Sequence, residues 1–96
     1  PPVGAGFSVK PTQTVSTVGS PLTATWTAGT GRLPGDCVCL FPVGTDNGQS
    51  LACSLTKGHA SGTATFEGRD TPGVYEVRYI TRSYVNVAVS TPITLY

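Results

Sequence analysis

A chain of 96 residues is the size of one small domain and too short to divide into two independent cores. Charged residues make up 11% and the formal net charge is +1, which excludes the basic field that holds nucleic acid or an anionic membrane surface. The longest apolar stretch, residues 37–43, falls far short of the ~20 residues that cross a bilayer, while hydrophobic residues in short runs along the whole length mark a chain that folds.

Glycines and prolines interrupt every window long enough for a typical helix, so the pattern predicts strands. Residues 7–9 and 14–18 read as two halves of an edge strand broken at Lys10-Pro11, because proline donates no ladder hydrogen bond. Residues 22–27 alternate cleanly, with Leu22, Ala24 and Trp26 on one face and three threonines on the other. A loop over 29–35 leads to a strand over 37–41, with Val38 and Leu40 on one face and Cys37, Cys39 and Phe41 on the other; Pro42 closes it. The run Gly44-Thr45-Asp46-Asn47-Gly48 carries hairpin-loop chemistry and introduces a strand over 49–55. After a turn over 57–61, residues 62–66 place Ala64 and Phe66 inward. A turn at Asp70-Thr71-Pro72-Gly73 precedes residues 74–80, with Tyr75, Val77 and Tyr79 on one face and Glu76 and Arg78 on the other. The last strand, 84–89, is interrupted at Ser90-Thr91-Pro92 by a bulge or a switch between sheets and resumes over 93–95.

Turn signals roughly every 8–12 residues are the spacing of an antiparallel sandwich and not of βαβ units. The sequence therefore predicts an all-β fold, an immunoglobulin-like antiparallel β-sandwich of about seven strands, as a single domain over residues 1–96. Its predicted core is Leu22, Ala24, Trp26, Val38, Leu40, Ala64, Phe66, Tyr75, Val77, Tyr79, Val87 and Val89. A first residue that is proline and the lack of any methionine read as a piece cut from a longer protein.

The segments Leu22-Thr23-Ala24-Thr25-Trp26, Asp36-Cys37-Val38-Cys39-Leu40-Phe41, Gly62-Thr63-Ala64-Thr65-Phe66 and Pro72-Gly73-Val74-Tyr75-Glu76-Val77-Arg78-Tyr79 together resemble a known arrangement. It is that of immunoglobulin-like domains carrying a D-W-I-G-L-[FY] strand, such as SKICH domains and the fibronectin-like N-terminal domains of purple acid phosphatases and other metallophosphoesterases. Cys37 and Cys39 replace the motif's tryptophan and glycine, and no functional residue of those families carries over, because their metal ligands lie in a separate catalytic domain. The segment around Tyr75 also resembles the tyrosine corner of immunoglobulin domains, which implies a hydrogen bond from the Tyr75 hydroxyl to backbone upstream, with Val77 where the second sheet-bridging cysteine would stand.

Chemistry-bearing residues are sparse. Cys37, Cys39 and Cys53 lie on two strands read as hairpin neighbours, and a turn near Thr45 or Asp46 brings Cys53 opposite Cys37 or Cys39. That predicts one disulfide involving Cys53 and one thiol left over, either buried or a link to a neighbouring subunit. Cys-x-Cys with one distant cysteine and the lone His59 lacks the paired-ligand spacing of structural zinc sites, so no metal and no cofactor are expected. His59 sits in a turn with no nucleophile elbow around any serine, the five carboxylates form no local acid–base pair, and Asp46-Asn47-Gly48 lacks the spaced oxygen ligands of a calcium loop. No catalytic residue is therefore assigned. Arg78, Arg82 and Tyr84, beside Tyr79, group the residue types that interface centres favour.

The expectation is a non-catalytic structural or adhesive module of a secreted, cell-surface or filament-forming assembly, partnered by other modules or copies of itself. Scarce lysine and abundant threonine and serine suit the outside of a cell, and the Thr-rich faces offer hydroxyls for O-linked glycans. The competing expectations are an accessory N-terminal domain of a secreted metallophosphoesterase-type hydrolase, which rests on the resemblance, and a carbohydrate-binding module using Trp26 or a tyrosine as its platform.

Overall fold

The structure, a computed structural model, describes residues 6–29, 34–46, 49–81 and 86–96. The described residues contain no helix; they form nine strands in two packed sheets. In chain order these are β1 (Ser8–Pro11), β2 (Val15–Ser16), β3 (Leu22–Thr27), β4 (Cys37–Pro42), β5 (Ala52–Leu55), β6 (Ser61–Phe66), β7 (Gly73–Ile80), β8 (Asn86–Val89) and β9 (Ile93–Leu95). One sheet has the order β1-β3-β6; the other runs β2-β9-β7-β4-β5, with β8 also paired to β7. The larger count than the sequence suggested arises because the first and last predicted strands are each realised as two short ones.

Both interruptions have a physical cause. Lys10 and Pro11 still pair with Thr25 and Ala24 of β3, but two residues beyond Thr12 the chain has left that sheet, and β2 runs parallel to β9 in the other. The change of sheet thus falls in the first strand pair. In the last pair, β8 and β9 both lie along β7, so the bulge is what interrupts them. There the Ser90 Oγ accepts the Val77 N–H at 2.9 Å and donates to the Thr91 carbonyl at 2.9 Å, while the Ser90 N–H reaches the Val77 carbonyl at 2.8 Å. A side-chain hydroxyl thereby fills the rung that the irregular backbone cannot supply.

The period-two reading of β3, β4, β6 and β7 holds: Leu22, Ala24, Trp26, Val38, Leu40, Ala64, Phe66, Tyr75, Val77 and Tyr79 are all buried in one cluster between the sheets. Val9, Ile93 and Leu95 join them, brought in by the short outer strands. Val87 only flanks this cluster and Val89 is 48% exposed, a correction to the predicted core. The register of β8 shifts between Tyr79 and Ile80, and downstream of such a shift alternation no longer reports which face is dry.

The expected Tyr75 bond is present, its hydroxyl donating to the Thr71 carbonyl at 2.6 Å and tying the turn before β7 to the strand. A second tie joins the ends of β3 and β6. Gly19, at φ +87°, donates its N–H to the Arg69 carbonyl at 2.9 Å, and its backbone lies so close to Gly68 that a Cβ there would come within 2.9 Å of the Gly19 Cα. Backbone stands on both sides of this contact, so no rotamer change relieves it. Gly68→Ala is expected to cost about 3 kcal/mol, at the upper end for overpacking, read as a lowered urea midpoint with an unchanged slope.

Candidate functional site

The outer face of the larger sheet is where the chemistry-bearing residues gather. Five apolar residues in succession, Cys37 to Phe41, form most of β4, and a strand without polar positions is one that is covered on both faces. The inner side chains enter the main core. On the outer side Cys39, Phe41 and Ile80 form a second buried cluster, with Cys37 packed against it.

Arg78 roofs this cluster. It is paired with Cys39 in the β4–β7 register, and its guanidinium carbon stands 4.1 Å above the centre of the Phe41 ring. Its Nε donates to Glu76 Oε2 at 2.6 Å, and Nη2 donates to the Thr45 carbonyl at 2.7 Å, drawing the β4–β5 turn over the sheet. Arg78 is 5% exposed, so this residue of the predicted contact group serves the interior of its own chain. Arg82 and Tyr84, the other two, lie outside the described residues. Tyr79 is fully buried; its ring meets Phe7 and Trp26 edge-on, and its hydroxyl donates to the buried Asp36 Oδ2 at 3.1 Å.

Next to the roof lie the three sulfurs. Period two puts Cys37 and Cys39 on the same face of β4, and the antiparallel register places Cys53 of β5 directly opposite Cys39. Of the two pairings the sequence left open, Cys39–Cys53 is the one formed, with 4.0 Å between Cα atoms. Cys37 keeps its thiol, 3.2 Å from the Cys39 sulfur. Burial pushes this thiol above its ordinary range and the neighbouring Asp36 carboxylate adds to the shift, so at neutral pH it is a protonated S–H donor and not a thiolate nucleophile. Among the described residues, the three cysteines are the group of metal-ligating side chains that converges, all three sulfurs within 4.8 Å of one another.

Beyond the sulfurs the sheet ends. Among the described residues β5 is paired on one side, to β4, and closes the strand order. Leu51, Cys53 and Leu55 all point to the outer face and are exposed, Leu55 at 62% and Leu51 at 40%. Neither charge nor proline occurs between residues 51 and 55. The β1 edge of the other sheet differs, since it carries Lys10 and Pro11, two residues that discourage strand addition. The apolar alternation at 51, 53 and 55 was the signal for this surface in the sequence, where the segment reads as a strand without an assigned outward face.

His59 is exposed in the turn between β5 and β6, its N–H bonded to the Thr56 carbonyl at 3.0 Å. Asp46, Glu67 and Asp70 are exposed, whereas Asp36 is buried and Glu76 is partly buried on Arg78. Trp26 is 6% exposed beneath the β6 backbone, which removes its face from any surface platform. Among the described residues no helix is long and apolar enough to cross a membrane. The chain matches no protein-family model, and no curated protein matches it in sequence.

Proposed function

We propose that this chain is a non-catalytic, immunoglobulin-like module of an extracellular assembly, and that it joins a second copy of itself edge to edge through β5. The observation that carries the reading is the β5 edge: among the described residues β5 pairs with β4 alone, and Leu51 and Leu55 are exposed beside it. Strand addition there supplies main-chain hydrogen bonds, and the two leucines supply apolar area that is wasted in an isolated monomer. The strand order, the tyrosine bond at Tyr75 and the Asp36–Phe41 strand support the immunoglobulin-like build. The Cys39–Cys53 bridge is consistent with an oxidising compartment. The accessory-domain reading keeps only the resemblance behind it.

Sedimentation velocity over a range of concentrations tests the proposal. The wild-type chain is expected to self-associate, and Leu55→Lys to shift it to monomer, because a charge on an edge strand must be desolvated when another strand adds. Thr25→Lys, on the outer face of the opposite sheet, is expected to leave association unchanged. A wild-type chain that stays monomeric at every concentration, or a Leu55→Lys variant that associates as well as wild type, overturns it.

A further inference from the structure

We infer that Cys37, Cys39 and Cys53 form a three-thiolate site for a soft monovalent metal ion of the copper(I) class when the Cys39–Cys53 bridge is reduced. The inference does not depend on the assembly reading.

The backbone, not the disulfide, assembles the three sulfurs. Cys37 and Cys39 share a face because they are two residues apart on one strand, and Cys53 faces Cys39 because the β4–β5 register puts it there. That register is set independently by Val38 opposite Ser54 and Leu40 opposite Ala52, and by Leu51 bonding back to the Leu40 carbonyl at 2.8 Å. Opening the bridge therefore leaves three sulfurs near one point. Thiolates held ~2.3 Å from one ion stand ~4 Å from each other around it. The sulfurs already lie within 4.8 Å of one another, and Cys37 and Cys39 are 3.2 Å apart, so small side-chain rotations suffice.

The donor set selects the ion. Three thiolates that no imidazole or carboxylate joins as a ligand among the described residues suit a soft ion content with three sulfurs, whereas zinc asks for a fourth ligand. Three thiolates around one monovalent cation leave two negative charges, and Arg78, paired with Glu76, stands at the register position opposite Cys39 on the same sheet face. Cys39 and the neighbouring Phe41 and Ile80 are buried and wall off one side from water, while Cys53 at the edge leaves a way in for the ion. This sulfur triangle escapes the usual metal-ligand spacings in sequence because its third member arrives through strand pairing and not through local spacing.

The chemistry balances. A trialkylphosphine gives two electrons to the Cys39–Cys53 bond, which becomes two thiols, and leaves as the phosphine oxide with its oxygen taken from water. Copper(I) then forms three copper–sulfur bonds and releases three protons, with no change in its own oxidation state.

The test uses the full chain, reduced with a phosphine under argon and titrated with copper(I) against a chelator of known affinity. Expected are one ion per chain, a sulfur-to-copper charge-transfer band in the ultraviolet, and no uptake by the unreduced chain. Cys37→Ser leaves the bridge and the fold intact, and after reduction it should bind at least about tenfold more weakly, the loss that even an outer-shell partner costs at a metal site. Near-ultraviolet circular dichroism of the buried aromatic residues, taken before the metal is added, reports whether the reduced chain is still folded. The inference is overturned if Cys37→Ser binds as tightly as wild type, if each ion is held between two chains, or if the aromatic signal has already collapsed on reduction.

Discussion

Trp26→Ala is expected to remove about 3–5 kcal/mol, the usual cost of truncating a large buried aromatic. The side chain sits between the two sheets and touches both. It belongs to the main core, meets the Tyr79 ring edge-on at 6.1 Å, and lies against the backbone of Gly62, its partner in the β3–β6 register. A Cβ on Gly62 would come within 2.7 Å of the indole Cζ2, so the glycine leaves the space that the ring fills. Truncation opens a cavity that the two sheets cannot close, because β3 is pinned between β1 and β6. With typical domain stabilities of about 5–15 kcal/mol, the variant is expected to be at the edge of unfolding at 25 °C. Urea denaturation followed by far-ultraviolet circular dichroism measures the loss, and a value below about 1 kcal/mol would show that Trp26 does not occupy this position.

Breaking the bridge with Cys53→Ser is also expected to have a large effect. The cross-link joins residues 14 apart, and the entropy of closing a loop of that size corresponds to about 3 kcal/mol of stability in the loop-closure account. The main core contains neither cysteine, so the variant should keep its fold and lose only midpoint. The same change is expected on adding a strong reductant to the wild-type chain, and none on adding it to Cys53→Ser. Equal urea midpoints for the oxidised and reduced wild-type chain would contradict the assignment.

Much of this was legible because alternation in β3, β4, β6 and β7 is a direct readout of which side chains share a dry interior. Trp26, Leu40 and Val77 come together for that reason alone. The disulfide was legible to within one choice: a hairpin centred near residue 45 or 46 sets Cys53 opposite one of two cysteines, and only the register decides between them. Val89 and the sheet change after Pro11 were not, since a bulge or a bend alters pairing without leaving a mark on alternation. Arg78 misled for a different reason. An arginine beside aromatics in sequence resembles an interface centre, but here Phe41 and Glu76 give it the same satisfaction inside the chain. The uninterrupted apolar run of β4 was the clue that its second face needed a cover.

The parallel pairing of β2 with β9 bears on how the fold would respond to a pull on its ends. The Thr94 N–H to the Thr14 carbonyl at 2.8 Å, the Tyr96 N–H to the Ser16 carbonyl at 3.2 Å and the Val18 N–H to the Tyr96 carbonyl at 3.1 Å cross between the first and last strands of the same sheet. Because the two run in one direction, a pull that draws the opposite ends of the chain apart slides them past each other, and these links resist side by side instead of peeling in turn. A unit stretched within a row of like units would give way only when the whole set failed together.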